Sequence, residues 1–158
     1  MKKIVVVFLL LLTLGSFAQN QLNPVSWSAT YVDKGNNEGE IVIKAKIEDK
    51  WHIYSQRPTD AGPIPTSFTI AANEAHFKAI GKVEEKDAHE EYVKAFEAKI
   101  FVFDHEAVFT QKIERHTKKD FSVNITLEYM TCNDMQCLPP KTIDIQVTVP
   151  STAPKTKL

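Results

Sequence analysis

The feature that most restricts the fold is a two-residue alternation of apolar and polar side chains, repeated along most of the chain. Phe121, Val123, Ile125, Leu127 and Tyr129 alternate with Ser122, Asn124, Thr126 and Glu128. Ile41, Ile43, Ala45 and Ile47 form a second series; Ile143, Ile145, Val147 and Val149 a third; Val25, Trp27, Ala29 and Tyr31 a fourth. Successive side chains of a strand point to opposite faces, so this period predicts strands with one buried face. Less regular runs predict further strands at 51–55, 66–70, 77–83, 99–103 and 107–114, with Gly, Asn, Asp and Pro clusters between them. The one segment readable as a helix, 88–99, lacks a clean helical period. Seven to nine short strands at this spacing predict an all-β fold, an immunoglobulin-like antiparallel β-sandwich.

The first residues stand outside that pattern. Lys2 and Lys3 precede an apolar run from Ile4 to Leu14, and Gly15-Ser16-Phe17-Ala18 supplies the small residues of a cleavage site. The run is shorter than the roughly 20 residues of a membrane-spanning helix, so residues 1–18 are expected to be a cleaved secretory signal, with Gln19 first in the mature protein. No Cys follows the cleavage point to carry a lipid, and no later segment is long and apolar enough to cross a membrane. The folded domain is expected over 19–149, followed by a disordered Pro/Thr/Lys tail at 150–158.

Charge and composition exclude two function classes. With 19 basic and 20 acidic residues the net charge is −1, and nucleic-acid binding needs a concentrated basic face. Five glycines, none in a phosphate-cradling loop, leave nucleotide chemistry without its usual motif. Nine Phe, four Tyr and two Trp supply the apolar area for a core that needs no staple.

The two cysteines, Cys132 and Cys137, therefore require another explanation. Both lie in Tyr129-Met130-Thr131-Cys132-Asn133-Asp134-Met135-Gln136-Cys137-Leu138-Pro139-Pro140, between the two most regular late strands. In an oxidising compartment a Cys132–Cys137 disulfide is the default, and Asn133-Asp134 favours the turn that closes it. A loop of about six residues restricts the unfolded chain by only about 2 kcal/mol, against about 5 kcal/mol for a loop of about 100. A short hairpin bond is also easily opened and reclosed while the domain stays folded. The residues alone leave three readings: a redox pair, an inert hairpin disulfide in a non-catalytic secreted binding module, and a Cu(I) site completed by Met130 or Met135. The five histidines are scattered singly, each expected on the surface or in a loop, and no zinc set forms around the sulfurs.

Cys-x4-Cys-x-Pro-Pro, set between an aromatic strand end and an alternating strand, resembles the amino-terminal periplasmic domain of the DsbD thiol:disulfide interchange family. Asp49-Lys50-Trp51-His52-Ile53-Tyr54-Ser55 and the segment from Phe103 to Ile113 resemble two further stretches of that domain, in the same order. The resemblance extends over roughly 23–149. It implies an immunoglobulin-like sandwich with a redox disulfide near one end, a protein-disulfide reductase component of the periplasm without cofactor. Its implied partners are thioredoxin-like proteins, among them a membrane-linked electron donor. Cys137 matches the cysteine that forms mixed disulfides and Cys132 the resolving one. Tyr54 matches an aromatic beside the disulfide, and His52 stands where the family tends to carry Tyr. The family's shielding loop falls within 87–97, with Tyr92 or Phe96 as its covering aromatic and Glu90-Glu91 nearest to its acidic pair. The family's usual Cys spacing is one residue longer. Its membrane and carboxy-terminal thioredoxin domains have no counterpart in this sequence, so either separate proteins supply them or this domain has been recruited elsewhere. No cation flanks the cysteines closely, and Asp134 disfavours a thiolate, so a thiol that reacts slowly until a partner docks is expected.

Overall fold

A computed structural model describes residues 22–59 and 62–152. The expected signal segment lies outside the described residues. The alternating series form the long strands: β1 (Val25–Gly35), β2 (Glu38–Ile47), β8 (Glu106–Arg115), β9 (Phe121–Tyr129) and β11 (Lys141–Val149). Between them lie β3 (His52–Tyr54), β4 (Ser67–Ile70), β5 (Phe77–Lys86), β6 (His89–Val93), β7 (Ala98–Asp104) and β10 (Thr131–Cys132).

Three antiparallel sheets result, in the orders β1-β2-β8-β5, β11-β9-β4 and β10-β3-β7-β6. The first two face each other. Ile41, Ile43, Phe109 and Ile113 from one, and Val123, Ile125, Leu127 and Val149 from the other, are buried in a single core. Trp27 bridges the layers, with its ring 5.9 Å from Phe109 and 5.2 Å from Tyr129. The third sheet adds Ile53 and Phe103 to this core through one face, and Phe103 meets Phe109 edge-on at 5.4 Å. The architecture is an immunoglobulin-like antiparallel β-sandwich.

Segment 88–99, whose sequence lacks a clean helical period, forms β6, a single 3₁₀ turn at Lys94–Phe96, and the start of β7. Cross-strand pairing of β6 with β7 supplies the backbone partners that a helix without an apolar stripe lacks the burial to secure. The tail expected to be disordered from Pro150 stays ordered through Thr152. The buried Arg115 guanidinium donates to the Pro150 carbonyl at 2.8 Å, and Thr152 N–H donates to the Lys118 carbonyl at 3.1 Å. The remainder of that tail lies outside the described residues.

Strand β3 is short but held at several points. The Thr131 hydroxyl donates to the His52 carbonyl at 2.8 Å, and the Thr66 hydroxyl to the Tyr54 carbonyl at 2.5 Å. Glu85 accepts from the Ser55 hydroxyl and from Gln56 N–H. Glu85 reaches them from beyond a register shift in β5, where Gly81 at φ +69° takes a backbone conformation that a side chain would disfavour.

Candidate redox site

The third sheet has a second face, turned away from the main core. Ile53 and Phe103 point inward, so their strand neighbours His52, Tyr54, Val102 and Asp104 point outward. Tyr54, Val93, Ile100, Val102 and Cys132 bury one another there in a separate apolar cluster, with Phe96, Ala98, Met130 and Cys137 packed against it.

Cys132 and Cys137 are joined in a disulfide, with their Cα atoms 4.0 Å apart. The intervening turn is closed from both ends. Asn133 N–H donates to the Gln136 carbonyl and Leu138 N–H to the Thr131 carbonyl, both at 2.9 Å. The Asn133 side-chain oxygen accepts from the N–H groups of Met135 and Gln136, also at 2.9 Å. This Asx arrangement is the local chemistry expected of Asn in a turn.

The two cysteines are not equivalent. Cys132 has no solvent exposure, whereas Cys137 is partly exposed and lines an open cleft with His52, Glu91, Tyr92 and the 133–136 turn. An incoming group reaches Cys137 first. Met130 packs beside the pair, and Met135 stands 88% exposed on the turn.

The aromatics of 87–97 separate clearly. On β6, Val93 points into the cluster and its neighbour Tyr92 points away, leaving Tyr92 57% exposed. The 3₁₀ turn then reverses the chain, with Glu97 in the left-handed region at φ 51° and its N–H bonded to the Lys94 carbonyl. Phe96 comes back over the cluster and meets Tyr54 edge-on at 6.1 Å. Phe96 thus packs on the cluster that holds Cys132, whereas Tyr92 stays outside that cluster at the rim of the Cys137 cleft.

His52 is 8% exposed, correcting its expected surface position. It lies directly opposite Cys132 on one side and Asp104 on the other. Its Nε2 is 3.1 Å from the Tyr54 hydroxyl. Burial lowers the imidazole pKa, against the pull of Glu91, Asp104 and Asp134, so the ring is neutral at neutral pH. Burial raises the Tyr54 phenol, with Glu91 adding to the effect, so it remains a protonated donor. Trp51, from the same sequence segment, belongs to the main core. Of the acidic pair, Glu91 lines the cleft while Glu90 pairs with Lys99 at 3.0 Å. Sequence reading missed Asp104 and His89. Only the parity of residues on neighbouring strands marks them as facing His52.

Fold and site together define a class: an immunoglobulin-like domain bearing a hairpin disulfide on an outer face, one cysteine buried and one at the surface. The family model described as "Thiol:disulfide interchange protein DsbD, N-terminal" matches residues 19–149, and the chain belongs to that family. Among solved structures it is similar to the Neisseria meningitidis DsbD N-terminal domain in the reduced form, at 16% identity and a TM-score of 0.54, covering 86% of this chain and 96% of the other. The N-terminal periplasmic domain of Proteus mirabilis ScsB aligns at 15% identity and a TM-score of 0.52, covering 82% of this chain and 48% of the other. A structure of the complex between the DsbD and PilB N-terminal domains of Neisseria meningitidis aligns at 14% identity and a TM-score of 0.50, covering 82% and 88%. No curated protein matches the chain. Among the described residues, no helix is long and apolar enough to cross a membrane.

Proposed function

We propose that this chain is a periplasmic electron-relay domain that opens and recloses the Cys132–Cys137 disulfide in exchange with thioredoxin-like proteins. The observation that carries this reading is the asymmetry of the pair, with Cys137 at the cleft and Cys132 fully buried behind it.

In the accepting half-reaction, a donor thiolate attacks the Cys137 sulfur. The Cys132–Cys137 bond breaks, and Cys132 leaves as a thiolate that takes up a proton. The donor's second thiol, deprotonated, attacks its own sulfur in the mixed disulfide. The donor departs oxidised, and Cys137 is protonated. In the delivering half-reaction the Cys137 thiolate attacks an acceptor disulfide, and Cys132 then attacks Cys137 to release the acceptor as a dithiol. Two electrons and two protons pass in each half. A membrane-linked donor and periplasmic acceptors fit this scheme.

Phe96 serves as the cover over the pair, and Tyr54 as the surface on which it rests. Displacement of this cover by a docking partner widens access to the sulfurs where they are to react. The cleft is bordered by Glu91 and Asp134, which disfavour a free thiolate, so the reduced form is slow with stray oxidants.

The test is capture of a purified thioredoxin-like protein in its disulfide form by each single-Cys variant. Cys132→Ala is expected to accumulate a mixed disulfide through Cys137, and Cys137→Ala to give far less. A companion titration in glutathione buffer is expected to show exchange with the domain still folded, whereas structural disulfides typically lie below about −300 mV. Absence of capture by both variants, or a bond that stays closed across the glutathione range, overturns the relay.

A further inference from the structure

Beside the disulfide, strands β3, β6 and β7 bring two imidazoles and two carboxylates together. His52, Glu91 and Asp104 present ligand atoms that all lie within 4.8 Å of one another. His89 joins them, its Nε2 3.1 Å from Asp104 Oδ2 and 3.9 Å from Glu91 Oε2. The four residues come from three separate strands, with His89 and Glu91 on one of them, and meet because of strand register. His52 pairs with Asp104, while His89 pairs with Val102, which shares a face with Asp104.

The charge balance of this group is unusual for an edge of a sheet. Among the described residues, neither Glu91 nor Asp104 has a Lys or Arg within ion-pair distance, and their only such partner is His89. Other exposed acids nearby follow the ordinary pattern, as Glu90 does with Lys99. Two carboxylates therefore converge on two imidazoles with no Lys or Arg among the described residues at ion-pair distance to match their charge. Two nitrogens and two oxygens at these separations form a donor set that a borderline divalent ion accepts in tetrahedral geometry after small side-chain rotations. His52 is held by the buried strand behind it, whereas His89 and Glu91 sit on the exposed edge strand and have room to close on an ion.

The geometry points to a divalent transition-metal site of zinc type formed by His52, His89, Glu91 and Asp104, next to the disulfide and distinct from it. Its ligands include neither cysteine, so the site stands or falls independently of thiol exchange.

The experiment is calorimetric titration of zinc chloride into the purified protein without a histidine tag and with the disulfide closed, so that no thiolate competes for the metal. Uptake of one ion per chain, reversed by a chelator, is expected. His89→Ala and Glu91→Gln, both at exposed positions of the edge strand, are each expected to weaken binding by tenfold or more. Glu90→Gln, on the opposite face of the same strand, is expected to leave it unchanged. Imidazole resonances of two histidines should shift on addition of zinc. Failure to take up one equivalent, or equal affinity in both ligand variants and the parent, overturns the site whatever the outcome of the capture experiment.

Discussion

Cys132 and His52 stand directly opposite each other on adjacent antiparallel strands, so a buried sulfur and a buried imidazole share one row of the outer face. This pairing ties the disulfide to β3, which is held by side-chain bonds at both ends. The Thr131 hydroxyl bond to the His52 carbonyl fixes the same junction from the backbone side. Cys132 is thus anchored in the sheet, while Cys137 sits on the exposed side of the turn; on the proposed relay, opening of the disulfide is expected to move Cys137 and its turn more than Cys132.

Phe96→Ala is expected to speed reduction of the disulfide by a small dithiol. The edge-on contact with Tyr54 is worth about 1 kcal/mol, so its loss raises the population of the uncovered form, and the rate, by about fivefold. Tyr92→Ala removes a largely exposed aromatic at the rim of the cleft, outside the apolar cluster, and is expected to change the rate less. Stopped-flow reduction kinetics of the two variants check this, and equal rates in both would remove Phe96 from the role of cover.

Alkylation of the reduced protein is expected to be one-sided. Cys137 lines the cleft while Cys132 has no exposure, so modification of Cys132 needs a local opening that modification of Cys137 does not. Each factor of ten in rate corresponds to about 1.4 kcal/mol of such opening, and a ratio of at least about ten is expected. Mass spectrometry after a short pulse of iodoacetamide gives the ratio directly.

Much of this was legible in the sequence wherever one face of a strand meets the core. Ile41, Ile43, Ala45 and Ile47, and the series from Phe121 to Tyr129, are buried on the side their alternation specifies. The cysteine turn was legible too, because Asn133 carries its own closure chemistry. The edge of the third sheet was not. His89, Glu90 and Glu91 are exposed, so no apolar period marks β6 as a strand. The 3₁₀ turn resets side-chain direction between Tyr92 and Phe96, which parity counting does not foresee. The grouping of His52, His89, Glu91 and Asp104 depends on the register of three strands, and nothing in the separate segments encodes that register visibly.

Asn133→Ala is expected to make the disulfide easier to reduce. The side-chain oxygen of Asn133 accepts two backbone bonds inside the loop, and their loss costs about 1 kcal/mol. The reduced thiols then spend less time in contact, and the equilibrium constant for disulfide formation falls by about fivefold. Equilibration with a dithiothreitol couple measures the change. An unaltered constant would mean that the 133–136 turn is shaped by the disulfide rather than by Asn133.

Tyr54→Phe keeps the ring that supports Phe96 and removes only the hydroxyl 3.1 Å from His52 Nε2. Because burial holds that imidazole neutral, the bond joins two uncharged groups, and its own net worth is modest. Its removal leaves a buried ring nitrogen without this partner, which costs about 1–2 kcal/mol. Urea unfolding is expected to show a lower midpoint, shifted by that cost divided by the slope, with the slope itself unchanged since no surface is newly exposed. Tyr92→Phe, altering an exposed hydroxyl, is the matched control and is expected to leave the midpoint where it is. Equal midpoints for Tyr54→Phe and the parent would show that the His52–Tyr54 bond contributes nothing to stability and that His52 owes its buried position to packing alone.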